Sequence, residues 1–171
     1  MRPLRIVLVL LEPPLPFGDA AARWYYVLLK GLAARGHRVT TLAACSKAHE
    51  MEQAQELFPS PEYDLRCHRF PDRRGWWGKV RTLVRPYSYM FSREFRSELG
   101  AVLARGFDML HLEQLWSGWT ALPWRDRALL NVHFLHEIDA EGNSPATGRA
   151  WWERRLMLSA EQRLLRAQDE F

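Results

Sequence analysis

The run Arg5-Ile-Val-Leu-Val-Leu-Leu11 is apolar without a polar break and includes β-branched residues, the pattern of a strand buried on both faces of a parallel sheet. Glu12-Pro-Pro-Leu-Pro-Phe-Gly18 ends it, because proline removes backbone donors and fixes φ. The spacing of Ala21, Tyr25, Leu28, Leu29 and Leu32 then predicts a helix with one apolar face, capped by Asp19 at its start and closed by Gly36. A second strand is predicted over 37–43, and a polar surface helix over 46–58 is stopped by Pro59-Ser-Pro61. Asp64 to Phe70 alternates apolar and polar residues, which suits a third strand near a sheet edge. Residues 92–105 read as a helix with Phe95, Leu99, Val102 and Leu103 toward the core, and 107–113 as a fourth strand. A short helix over 115–124, a fifth strand over 128–134 and a helix over 149–169 complete the order. In that last helix Trp152, Leu156, Ala160 and Leu164 share a face, while Glu153, Arg154, Glu161 and Arg166 are placed for solvent.

Strands alternating with helices predict an α/β fold, a Rossmann-like doubly wound parallel sheet with helices on both faces, since parallel crossovers are right-handed. The 171 residues fit one domain spanning 1–171, without repeat or linker. Hydrophobic residues make up 47% and charged residues 26%, the balance of a folded chain rather than a disordered one. A formal charge of +4 draws anionic partners only weakly, and nucleic acid is not demanded. Cys45 and Cys67 have neither metal-ligand spacing nor a disulfide pattern, so they read as small core residues in a reducing cytosol. The apolar run after Arg5 is shorter than a signal-peptide core, and no segment reaches the roughly 20 apolar residues of a spanning helix. Any membrane role is expected to be peripheral.

In open α/β sheets ligands gather at the carboxyl ends of the strands, where helix N-termini attract anions. The first loop lacks both G-x-G-x-x-G and the Walker pattern, so Gly18-Asp19 is either a phosphate-approaching turn or a plain turn with a cap. Glu113 and Gln114 stand at the end of the fourth strand. His133 stands at the end of the fifth, followed by His136, Glu137 and Asp139; without the H-E-x-x-H order, no metal site is expected there. Between Pro71 and Phe91 the basic residues Arg73, Arg74, Lys79, Arg81 and Arg85 interleave with Trp76, Trp77, Tyr87, Tyr89 and Phe91. That mixture suits an aromatic cover on the sheet, a sugar or lipid surface, or a nucleic-acid surface.

Three features together resemble one family: the proline-rich turn 12–19, the following Leu32-Ala-Ala-Arg-Gly-His-Arg-Val-Thr40, and Phe107–Gln114 with Asn131-Val-His133. The chain resembles the N-terminal half of family 4 glycosyltransferases, retaining enzymes of GT-B architecture with two facing Rossmann-like domains. The resemblance implies an acceptor-side domain whose nucleotide-sugar-binding partner domain, with its donor-side glutamates, is absent from this chain. It further implies that Gly18 approaches the donor phosphate or transferred sugar, with Asp19 standing where many relatives have a second glycine. His133 would face the reaction cleft as the catalytic position, and Glu113 and Gln114 would be polar cleft residues. Arg23, one turn past Asp19, is placed by spacing to reach an anionic acceptor group.

The implied activity is transfer of a sugar from a nucleotide-sugar donor to a hydroxyl acceptor with retention, without a metal or further cofactor. The acceptor would be a glycan, a lipid-linked glycan or a small molecule. Arg73, Arg74, Trp76, Trp77, Lys79 and Arg81 would form an acceptor or anionic-membrane surface, with the protein cytoplasmic or peripheral on the inner membrane face. Positioning and stabilisation of the departing diphosphate fall to the second domain, so the isolated domain is expected to be inactive. Two alternatives remain on sequence alone: a noncatalytic membrane-surface or glycan-binding module, and half of a GT-B-like nucleotide-sugar epimerase.

Overall fold

The computed structural model describes residues 2–71, 85–132 and 148–169. Strands β1 (Arg5–Leu10), β2 (Arg38–Cys45), β3 (Asp64–Arg69), β4 (Met109–Glu113) and β5 (Ala128–Asn131) form one sheet in the order β3-β2-β1-β4-β5. Every pairing is parallel, with Val7 opposite Thr40, Leu8 opposite His111 and Glu113 opposite Asn131. β1 lies in the middle because it alone is apolar on both faces, with Ile6 to Leu10 no more than 3% exposed.

The pleat divides these residues between two layers. Leu8 and Leu10, with Ala43 and Cys45, pack under α1 (Ala20–Ala34), where Tyr25 is fully buried. α2 (Ala48–Leu57) lies on the same face and buries Ala54 beside Leu15 of the first loop. Val7 and Val9, with Leu42, Leu110 and Leu112, face the other way, toward α3 (Arg93–Ala104) and α4 (Gly148–Asp169). α3 contributes Phe95, Leu99, Val102 and Leu103 and begins at Ser92, whose Oγ accepts from the Phe95 N–H at 3.0 Å. The chain leaves α1 through Gly36, whose N–H donates to the Ala33 carbonyl at 2.8 Å.

Three local expectations are corrected. Residues 115–124 do not form one helix but two 3-10 turns, Leu115–Thr120 and Leu122–Arg127, because Pro123 cannot donate and disfavours helical backbone before it. In α4 the buried stripe is confined to the C-terminal half: Ala160 and Leu164 are fully buried, whereas Trp152 is 61% and Leu156 39% exposed. Glu161, placed for solvent by periodicity, is buried, since the covered face of α4 is turned toward the 3-10 segments. The fifth strand is described only to Asn131, and residues 133 and 134 lie outside the described residues.

The described end of the basic-aromatic segment packs inward. Phe91 is buried against Phe95 at 5.0 Å between ring centroids, and Tyr87 lies over Trp116 at 5.3 Å. Arg73, Arg74, Trp76, Trp77, Lys79 and Arg81 lie outside the described residues.

α4 is seated through a close approach. A Cβ at Gly118 would stand 3.1 Å from Leu164 Cδ1 and 3.4 Å from two further atoms of that side chain. Gly118→Ala is therefore expected to destabilise the fold by about 1–3 kcal/mol through overpacking. The double variant Gly118→Ala/Leu164→Ala should cost measurably less than the sum of the single ones in urea unfolding, because the two share one space.

Candidate functional site

Successive strands step from β1 to β2 and β3 on one side, then to β4 and β5 on the other. The chain thus diverges between the carboxyl ends of β1 and β4, the switch point at which open parallel sheets form their ligand crevice. The residues leaving β1 and β4 at this point are Glu12 to Asp19 and Glu113-Gln114.

Gly18 adopts φ +89°, a conformation a side chain would strain, and it turns the loop into α1. Asp19 caps that helix by accepting from the Ala22 N–H at 2.9 Å. This bond is the main reason its carboxyl sits below the usual range, aided by a hydrogen bond from Glu12 and by the Arg23 charge. Glu12 is the opposite case. Burial raises it to about 8, and its hydrogen bond to Asp19 and the charges of Asp19 and Glu50 push the same way against Lys47. At neutral pH the pair is a protonated Glu12 donating to an ionised Asp19. Arg23 folds back along the helix, its Nε donating to the Asp19 carbonyl at 3.2 Å, and its guanidinium stays exposed at the first turn.

Glu113 is fully buried and heavily solvated by protein. Trp24 Nε1 donates to it at 3.3 Å, and Asn131 Nδ2, its neighbour in register on β5, donates at 3.3 and 3.4 Å. His111 Nε2 lies 3.0 Å from Oε1. His111 and Glu113 alternate with Leu110 and Leu112 along β4, so both project toward α1 while the leucines fill the opposite layer. Gln114 follows with φ 65° and ψ 147°, a backbone conformation rare for a residue with a side chain and the kind that collects at binding sites. The N–H and hydroxyl of Ser117 hold it by donating to the Gln114 carbonyl at 3.2 and 2.7 Å.

Tyr25 ties the two halves together. Its buried hydroxyl has no well-formed hydrogen bond among the described residues. Burial raises its pKa, the negative charges of Glu113, Glu12 and Asp19 raise it further, and Gln114 opposes them. The structure therefore brings Asp19, Glu113 and Gln114 to one place, with Gly18 and Arg23 at its border. His133 lies outside the described residues. Among the described residues, no group of three or more His, Cys, Asp or Glu side chains could hold a metal, and no helix is long and apolar enough to cross a membrane.

Sequence reasoning did not single out Glu12, Trp24, Tyr25, His111 or Asn131 as site residues. For His111 and Glu113 a signal existed: polar residues at period two in a strand beside the central one must face a partner rather than water. Trp24 and Tyr25 carried none, because one helical pattern serves core and cleft alike.

The family model described as "Glycosyl transferase 4-like domain" matches residues 21–171. The chain belongs to this family. No curated protein sequence matches the chain. Membership assigns this glycosyl transferase 4-like domain a function of the glycosyltransferase type in general. The matched range holds Glu113, Gln114 and Asn131, while Glu12, Gly18 and Asp19 stand just before it.

The Glu12 proton makes stability pH-dependent. The folded chain keeps it to about pH 8 and the unfolded chain releases it near 4.5, so stability falls as pH rises through that window. Glu12→Gln removes the cost of ionisation. Allowing for solvent screening of this partly exposed group, it should stabilise the chain by about 1 kcal/mol, or about 3 °C in Tm, above the upper value and by nothing below the lower one. Equal Tm differences at both ends of a pH series would refute the assignment.

Proposed function

We propose that this domain is the acceptor-side half of a retaining glycosyltransferase, working with a second Rossmann-like domain that binds the nucleotide-sugar donor. The observation that carries the reading is the family match together with polar groups gathered at the β1–β4 switch point. In the reaction a bond forms between an acceptor hydroxyl and the anomeric carbon, the bond to the diphosphate breaks, and the hydroxyl proton passes to the departing phosphate side. This chain's share is positioning. With the Glu12 proton held against Asp19, the remaining carboxyl oxygens of the pair can accept from ligand hydroxyls, and the α1 N-terminus favours a nearby anion. Glu113 acts through others: by binding Trp24 and Asn131 it fixes the β4 exit and α1 against each other.

His133 is assigned to the cleft by its place after β5 and by the family resemblance. The acceptor is a glycan, lipid-linked glycan or small hydroxyl compound, and catalysis takes place at the cytoplasmic side, with no metal. Stabilisation of the departing diphosphate belongs to the second domain and to closure between the two.

The test is the reading frame beyond Phe171. It is expected to encode a second Rossmann-like domain, and the whole product should transfer sugar with retained anomeric configuration by NMR. The chain of 171 residues alone should give negligible turnover, and His133→Ala in the whole product should lose about 100-fold or more in kcat. Ordinary turnover by the single domain, or inverted product, would overturn the reading.

A further inference from the structure

A pocket lies at the opposite end of the sheet, beside the amino ends of the strands. It encloses about 200 Å³ between the starts of β1, β2 and β3 and the turn that leads from α3 into β4. Val7 and Phe107 belong to its apolar floor, and four arginines, Arg5, Arg38, Arg66 and Arg105, come to it from four different segments. That convergence is not required by the fold. A guanidinium can be carried anywhere along an exposed edge, and like charges brought together repel unless an anion lies among them.

The nearby acids offset the group only in part. Arg66 is occupied, binding Asp64 at 2.8 Å and Glu98 at 2.8 Å. Asp108 accepts from the Arg5 backbone N–H at 2.7 Å and from Arg2 at 3.2 Å, leaving the Arg5 side chain loosely placed 3.8 Å away. Among the described residues, no carboxylate lies within ion-pairing distance of Arg38 or Arg105. The last-turn carbonyls of α3 nearest the pocket are also taken, Val102 by the Arg105 N–H and Leu103 by the Gly106 N–H, both at 3.1 Å. Asp64 also lines the pocket, and the Arg105 charge helps hold its carboxyl below the usual range, so four arginines face one carboxylate around a small space with apolar residues in its wall.

We propose that this pocket binds a phosphate-bearing small molecule, its phosphate oxygens held by Arg38, Arg105 and Arg5 in charge-assisted bonds and its less polar part resting on Val7 and Phe107. The site is separate from the carboxyl-end crevice and does not depend on the transferase reading. The phosphate is carried either by a soluble metabolite or by a lipid headgroup at a membrane surface.

Isothermal titration of the chain with inorganic pyrophosphate at low ionic strength tests the soluble source, and co-sedimentation with phosphatidic-acid vesicles tests the headgroup source. Saturable pyrophosphate binding is expected, weakened about tenfold by Arg38→Gln or by Arg105→Gln and lost in the double variant. Arg93→Gln, an exposed arginine at the start of α3, serves as the charge-matched control and should bind as the parent does. Retained melting temperatures show that the variants fold. Vesicle binding with the same arginine dependence but without pyrophosphate binding would assign the site to a lipid headgroup. Binding to neither probe, or equal weakening by Arg93→Gln, would overturn the proposal.

Discussion

The parallel pairing of β1 with β4 is the constraint on which the rest depends. β1 can be central only because Ile6 to Leu10 are apolar on both faces, and β4 can sit beside it only if its own polar residues find partners away from water. Leu110 and Leu112 satisfy one layer. His111 and Glu113 face the other, and the Glu113 carboxylate is tolerable there because Trp24 and Asn131 donate to it. One buried carboxylate therefore joins α1, β4 and β5 beside the crevice that the strand order opens.

The crevice combines opposed electrostatic demands. The α1 N-terminus and its backbone donors favour a charged Asp19, while burial and that same charge keep the proton on Glu12. Because the pair holds one proton between its two carboxyls, the oxygens left over are acceptors suited to ligand hydroxyls. The strained Gln114 backbone, held by Ser117, is consistent with a segment shaped for binding rather than for local comfort.

The two ends of the sheet differ in kind. The carboxyl end gathers the acidic side chains Glu12, Asp19 and Glu113, and at the amino end Arg5, Arg38, Arg66 and Arg105 outnumber the acids Asp64 and Asp108 beside them. A modest net charge of +4 conceals this separation, because it counts charges without their places. The apolar layers between the ends keep them apart, so each can be altered without direct contact with the other.

Sequence by itself determined the alternation of strands and helices, the central place of β1, the Asp19 cap and the edge position of β3, because each follows from local periodicity or backbone chemistry. It also placed Asp19, Glu113 and Gln114 near strand ends, and its family resemblance agrees with the family match. Only the tertiary structure decided what those residues touch. The burial of Glu161 and the exposure of Trp152 depend on where α4 meets the 3-10 turns, and one helical period cannot fix that rotation. The elevated Glu12, the Trp24 and Asn131 bonds to Glu113 and the arginine pocket all join residues distant in the chain. Their energies arise from burial and proximity, which become defined only when the parallel strands are brought side by side.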